Sequence, residues 1–266
     1  MIRAAVTGAA GRMGTQLVRL LQETGGLALA AALERPGHPA LGRDAGEVAG
    51  IGPLGVPVTS VLSEALPSAD VVIDFTSAAA SLAHLDAVCR AGKAIVIGST
   101  GFSPQERELV RSRGAEARIF QAPNMSVGVN VLLQVVTEVA RLLGEAYDVE
   151  IVETHHRFKK DAPSGTALAL AEAAAGALGR DLAADAVHGR EGLVGERKPR
   201  EIGLHAVRAG DVVGDHTVLF GGLGERIELT HRASSRETFA RGALRAALWL
   251  PAQPRGFYGM TDLLGI

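Results

Sequence analysis

Ile2-Arg-Ala-Ala-Val-Thr-Gly8-Ala-Ala-Gly11-Arg-Met-Gly14-Thr-Gln-Leu-Val-Arg-Leu-Leu21 decides the fold. Ile2 to Val6 reads as a buried strand. Three glycines follow within seven residues, and apolar side chains then recur at helical spacing from Met13 to Leu21. A strand, a glycine-rich turn and a helix make one βα unit, the usual opening of a dinucleotide-binding fold. The triplet departs from the commoner Gly-x-Gly-x-x-Gly, and taken alone it is equally well read as turn punctuation. Its surroundings give it weight. A second apolar segment, Leu27 to Leu33, ends at Glu34-Arg35, and Glu34 lies twenty residues past Gly14. Glycines in such a turn let backbone N–H groups approach a pyrophosphate, and the helix N-terminus favours its charge. Glu34 suits adenosine ribose hydroxyls and Arg35 a 2′-phosphate, although the plainer reading is two solvated loop charges. The adjacent pair predicts a pocket that accepts NADH or NADPH.

Further short apolar runs, Val71 to Phe75, Ala94 to Gly98 and Arg118 to Ala122, are bounded by turn residues and separated by helical stretches. Ser103-Pro-Gln-Glu106 supplies an N-cap, a first-turn proline and a capping-box glutamate. Such alternation predicts a doubly wound parallel sheet of Rossmann type. Residues 36–53, rich in Gly and Pro, read as a mobile loop. Beyond residue 126 the pattern changes. A long apolar helix over Val127 to Leu143 leads to a strand from Tyr147 to Glu153, then an alanine-rich helix from Gly165 to Leu178. Three strands follow with short turns, Glu201 to Arg208, Asp211 to Phe220 and Glu225 to Arg232. The expected fold is α/β: a Rossmann-like domain over 1–126, and a smaller α+β domain with a mixed sheet over 127–235. Ser234-Ser-Arg-Glu237 predicts a second capping box, opening a helix through Trp249 that returns, with 236–266, to the first domain.

Apolar residues make up 47% and charged residues 21%, which excludes disorder, and a net charge of -2 gives no basic field for nucleic acid or membrane. The single cysteine, Cys89, cannot form an internal disulfide and reads as a buried structural thiol. No apolar run reaches the roughly 18 residues of a spanning helix, and the first strand begins without a leader. A cytoplasmic location is expected.

Against this balance, residues 155–160 gather His155, His156, Arg157, Lys159 and Lys160, just before Pro163-Ser-Gly-Thr166 and a helix. A basic loop feeding a helix N-terminus suits a small dicarboxylate. If the strand runs through His155, the two histidines point to opposite faces. Zinc is a poor reading, because no third ligand stands at a usual spacing and the lysines repel a cation. His205, His216 and His231 fall on strands and read as hydrogen-bonded structural histidines. Gly98-Ser-Thr-Gly101, Ala122-Pro-Asn-Met125 and Asp74-Phe-Thr76 stand at strand ends, where ligands sit in such folds, but ordinary turns explain them as well.

The stretch Glu153-Thr-His-His-Arg-Phe-Lys-Lys-Asp-Ala-Pro-Ser-Gly-Thr-Ala167 closely resembles the signature of the dihydrodipicolinate reductase (4-hydroxy-tetrahydrodipicolinate reductase) family. Other segments match in family order: 8–14, Asp74-Phe-Thr76, 98–102, 122–130, Arg208 to His216, and the Ser-Arg-x-x-Phe-Ala segment ending near Trp249. The resemblance covers essentially the whole chain. It implies reduction of 4-hydroxy-tetrahydrodipicolinate, by way of dihydrodipicolinate, in lysine and diaminopimelate synthesis, with NADH or NADPH as cofactor. By position it assigns Gly8, Ala9, Ala10, Gly11, Arg12 and Met13 to the pyrophosphate, and Glu34 and Arg35 to the adenosine ribose end. Gly98, Ser99, Thr100, Ala122, Pro123, Asn124 and Met125 border the nicotinamide. His155 and Lys159 become the proton-transfer pair, and His156, Gly165 and Thr166 the carboxylate binders. It also implies a homotetramer, for which three closely spaced strands with an open edge give a physical motive.

Rival oxidoreductases fit less well. A short-chain dehydrogenase needs Tyr-x-x-x-Lys, yet Ile151 stands four residues after Tyr147, and Cys89 does not resemble an aldehyde-dehydrogenating nucleophile. An NADPH-binding sensor without catalysis has no need of the His-His-x-x-Lys segment.

Overall fold

Runs too apolar for water on either face collect into the first sheet of the computed structural model, which describes residues 1–266. The order along the chain is β1 (Ile2–Thr7), α1 (Arg12–Glu23), β2 (Leu27–Leu33), α2 (Ala45–Ala49), β3 (Val58–Thr59), α3 (Leu62–Ala65), β4 (Val71–Asp74), α4 (Ala78–Ala91), β5 (Ala94–Ile97), α5 (Pro104–Ser112) and β6 (Arg118–Gln121). The chain then builds α6 (Val127–Leu143), β7 (Asp148–His155), α7 (Gly165–Ala177), α8 (Leu182–Asp185), β8 (Ala186–His188), β9 (Ile202–Arg208), β10 (Gly214–Gly221) and β11 (Arg226–Ala233). It ends with α9 (Glu237–Trp249), β12 (Gly256–Tyr258) and α10 (Met260–Leu264). Two compact units result: Met1–Ser126 with Glu237–Ile266, and Val127–Arg236.

The first unit is a seven-stranded sheet in the order β12-β6-β5-β4-β1-β2-β3, parallel throughout. Strand order reverses beside β1, and the register pairs Thr7 with Asp74, so the turns after β1 and β4 emerge side by side. That crevice is where a doubly wound fold binds its ligand. Helix α1 buries Leu17, Val18, Leu20 and Leu21, each worth about 1.5–3 kcal/mol. Trp249 packs edge-on to Phe120 and Tyr258. Cys89 is buried, and that burial pushes its thiol up.

The second unit is a five-stranded mixed sheet in the order β11-β10-β7-β9-β8. β10 runs antiparallel to β7 and β11, whereas β7–β9 and β8–β9 are parallel. One face carries Val149, Ile151, Val218, Phe220, Ile202 and Leu204 into a core with α6 and α7. Against the expectation that no apolar run reaches spanning length, the segment Val127–Ala146 is long and apolar enough, by length and composition, to cross a membrane. Here Leu132, Val136 and Ala140 join that core, while Val131, Val135 and Leu142 remain exposed.

Three further expectations need correction. Residues 36–53 contain α2, because the Asp44 carboxylate accepts from the N–H groups of Gly46, Glu47, Leu54, Gly55 and Val56. One side chain thus organises a segment that composition alone marks as irregular. The helix expected to open at the Ser234 box starts later: β11 runs on to Ala233, and α9 opens at Glu237, which pairs with Arg19 and Arg241. β10 starts at Gly214 rather than Asp211, because 211–213 are taken up by a turn.

Candidate active site

In the first unit the turn after β1 is shaped by its glycines. Gly8 has φ +65°, and a Cβ at Gly14 would lie 2.0 Å from the Gly8 carbonyl oxygen. Helix α1 begins beyond Gly11 with no side-chain cap, in contrast to the serine caps of α4, α5 and α7. Its first-turn N–H groups therefore remain available to an anion, with Arg12 exposed at the first helical position. Ala9 N–H donates to Leu33 O at 3.0 Å and Ala10 N–H to Glu34 Oε1 at 3.0 Å. Glu34 thus braces the glycine turn as well as standing at the end of β2. Arg35, beside it, is exposed.

A cavity of about 280 Å³ opens between Met13, Phe75, Gly98, Pro123, Asn124, Met125 and Phe239. Gly98 is needed for space, since a Cβ there would come within 2.3 Å of the Phe75 ring. Ala122 is buried, and Thr100 lines a neighbouring cavity of about 300 Å³ with Ser99, Gly101, Phe102, Arg107, Arg111, Gln121, Pro123 and Phe257. The Ser99 hydroxyl is turned inward: it donates to Asp74 at 3.3 Å and accepts from Thr76 N–H and the Ser81 hydroxyl. Burial works to raise the Asp74 carboxyl, but hydrogen bonds from His84 (2.6 Å) and Thr76 outweigh it and hold the group below its usual range. Phe239 gave no local signal in the sequence beyond its place in the Ser-Arg-x-x-Phe segment, while Phe75 was legible only as part of a strand-end turn.

In the second unit, alternation along β7 turns Glu153 and His155 to the core side with Val149 and Ile151. Glu153 is fully buried and accepts four bonds: from His155 Nδ1 (2.5 Å), Arg208 Nη1 and Nη2 (2.8 Å each) and Ser164 N–H (3.0 Å). Burial works to raise its carboxyl, but the Arg208 and His155 bonds prevail and hold it low. His155 meets the His216 ring edge-on at 5.1 Å. His216 is pushed down to about 4, by burial first and then by His155, and its Nε2 lies 3.0 Å from the Ser164 hydroxyl. That hydroxyl caps α7 by accepting from Ala167 N–H, so Gly165 and Thr166 form the first turn of a helix that opens toward solvent.

His156 stands just beyond the strand. Arg236 donates to its Nε2 at 3.2 Å, while its Nδ1 is buried without a partner. Lys159 is held by both oxygens of Asp161 at 2.9 and 2.8 Å. The second unit thus brings His155, His156, Lys159, Gly165 and Thr166 onto β7, one loop and one helix start. Arg208, Arg236 and His216 were missed as site residues; their only signal was membership of segments matching the family pattern. His205 lies on the opposite face, bonded to Glu150 at 2.7 Å.

Comparison with known proteins bears on the identity of this arrangement. Residues 2–125 match the family model for dihydrodipicolinate reductase, N-terminus, and residues 128–264 the model for its C-terminus. The chain belongs to the dihydrodipicolinate reductase family. The 4-hydroxy-tetrahydrodipicolinate reductase of Anaeromyxobacter dehalogenans is 57% identical over 100% of this chain and 98% of its own. That of Syntrophobacter fumaroxidans is 56% identical over 100% of both. Among solved structures, the dipicolinate-bound dihydrodipicolinate reductase from Paenisporosarcina sp. TG-14 superposes with a TM-score of 0.75 at 24% identity, covering 98% of each chain. At that identity the likeness speaks for the fold, a Rossmann-like parallel sheet plus a second mixed sheet.

Proposed function

We propose that this chain reduces 4-hydroxy-tetrahydrodipicolinate, through dihydrodipicolinate, to tetrahydrodipicolinate with NADH or NADPH, in lysine and diaminopimelate synthesis. The observation that carries the reading is the buried Glu153–His155 pair, set beside a basic loop that ends at the Ser164-capped start of α7. The first unit fits a dinucleotide: an uncapped α1 N-terminus beside glycines that leave room for a close approach, with Glu34 and Arg35 at the end of β2. When bound, the nicotinamide supplies a hydride to the conjugated imine left after water departs.

The chain's own residues do the rest. The N–H groups of Gly165 and Thr166 and the imidazole of His156 bind the two carboxylates, at a helix end whose dipole favours anions. Lys159 and His155 hold protons that one or the other delivers to the resulting enamine, and each cation stabilises the negative charge that develops first. Phe75, Phe239 and Met125 give the cavity bordering the glycine turn apolar walls that exclude water.

The assembly is read as a homotetramer in the cytoplasm. The outer face of the second sheet leaves Val152 and Val207 exposed, and the β8–β9 loop exposes Leu193 and Val194, surfaces that association between copies would cover. The decisive assay generates the substrate from pyruvate and aspartate semialdehyde and follows loss of NADH or NADPH. Loss that depends on this chain is expected. No loss, in a mixture where an authentic reductase turns over, overturns the reading and leaves a binding role.

A further inference from the structure

We propose that Glu153 is the positioning residue for His155: its buried carboxylate holds the imidazole as the Nδ1–H tautomer and ties the ring to the turn at Ser164. The inference rests on the reductase reading and deepens it, by naming a residue that acts through the proton-transfer group.

A lone carboxylate at a position with no solvent exposure is disfavoured by several kcal/mol, so it has to be matched by donors. Glu153 has four. Arg208 supplies two and cancels the charge; it also donates to Asp161 O at 2.6 Å, fastening the far end of the basic loop. Ser164 N–H is the third. These three are donors under all conditions, because neither a guanidinium nor a backbone amide loses its proton near neutral pH. Only His155 Nδ1 has a choice. An ionised carboxylate at 2.5 Å accepts and cannot donate, so the proton sits on Nδ1. A free neutral imidazole prefers its proton on Nε2, and the contact therefore reverses the ring's own preference.

The consequence is at Nε2, the ring nitrogen that Glu153 does not engage. A Cβ on residue 214 would lie 2.9 Å from this atom, so glycine at 214 leaves room for the ring beside β10. Nε2 is therefore the nitrogen that exchanges a proton with substrate. The groups around the ring support this arrangement. Glu153 faces it from β7, Arg208 from β9 and His216 from β10, with His231 beyond on β11 and Lys159 and Asp161 on the loop. His216, kept neutral by burial, places no competing cation against the imidazole. Because Ser164 N–H shares the same carboxylate, the ring and the anion-binding helix start are held at a fixed spacing by one side chain.

The test labels histidine with ¹⁵N in the full-length protein and reads the His155 tautomer at a pH where the ring is neutral, with His155→Gln assigning the signal. The wild type is expected as Nδ1–H. In Glu153→Gln, and in the charge-free pair Glu153→Met/Arg208→Met, the Nε2–H form should appear. kcat should then fall roughly 10–100-fold, within what a misplaced general acid loses, while NADPH affinity stays within about twofold. Wild-type His155 found as Nε2–H overturns the proposal, even if neither variant folds. So does a variant that loses activity while keeping Nδ1–H, since that is a structural role. A wild type that shows the Nδ1–H form but turns over no substrate would instead refute the reductase reading and leave this coupling intact.

Discussion

Lys159 illustrates how little separates a surface charge from a proton donor. Its ammonium is held by Asp161 and its side chain is 19% exposed, so the group is placed rather than floating. Replacing Lys159 by Ala should lower kcat by roughly 10²–10⁴-fold, the range for a positioned proton donor; near-full kcat at saturating substrate would make the residue merely electrostatic. His155→Ala should fall in the same range, whereas His156→Ala should raise substrate KM with kcat largely kept, because binding lost equally from ground and transition states leaves kcat alone. On the cofactor side, Arg35→Ala should weaken NADPH by roughly 10–100-fold, as for a lost charged hydrogen bond, and spare NADH, which has no 2′-phosphate. Titration calorimetry showing equal weakening of both cofactors would place Arg35 outside the pocket.

Among the elements, α7 is the one on which most depends. Ser164 caps it, meets His216, and supplies the N–H that reaches Glu153. Ser164→Ala should reduce stability by about 1–3 kcal/mol, the loss of a cap plus a buried histidine nitrogen left unpaired, read from urea unfolding. It should also raise substrate KM by loosening Gly165 and Thr166. The element scale also shows where sequence signals succeed. The Ser103 box forms because its two halves are three residues apart and nothing else competes for them. At Ser234 the same pattern is displaced: β11 pairs with β10 through Ala233, and α9 opens at Glu237.

For the whole molecule, stability should fall in mild acid. His216 has a folded value of about 4 against an unfolded value near 6.5, so the unfolded chain binds the extra proton first. Its contribution is complete above about pH 6.5 and is lost as the pH falls toward 4, in total on the order of 3 kcal/mol. Thermal melts over that range should show the decline, and His216→Asn should flatten it; parallel slopes would assign the effect elsewhere. Glu150, held at about 2 despite burial by Arg190, His205 and Arg197, adds a second loss between about pH 4.5 and 2. Sedimentation at micromolar concentration should give a tetramer, and a monomer there would refute the proposed assembly.

Sequence by itself determined what depends on neighbours along the chain. The strand–glycine turn–helix of residues 2–21, the strand leading to Glu153, and the basic loop before the α7 cap are all local patterns. Hydrophobic period and backbone geometry fix them without reference to distant residues. Only the tertiary structure decided which distant groups meet them. Arg208 reaches Glu153 across 55 residues and Arg236 reaches His156 across 80, while Phe239 joins Met13 and Phe75 around one cavity. The short edge strands β3, β8 and β12, two or three residues each, carry no period of their own and exist because a neighbouring strand offers free hydrogen-bonding groups. Sheet order and register choose these partners, and no spacing within the sequence encodes them.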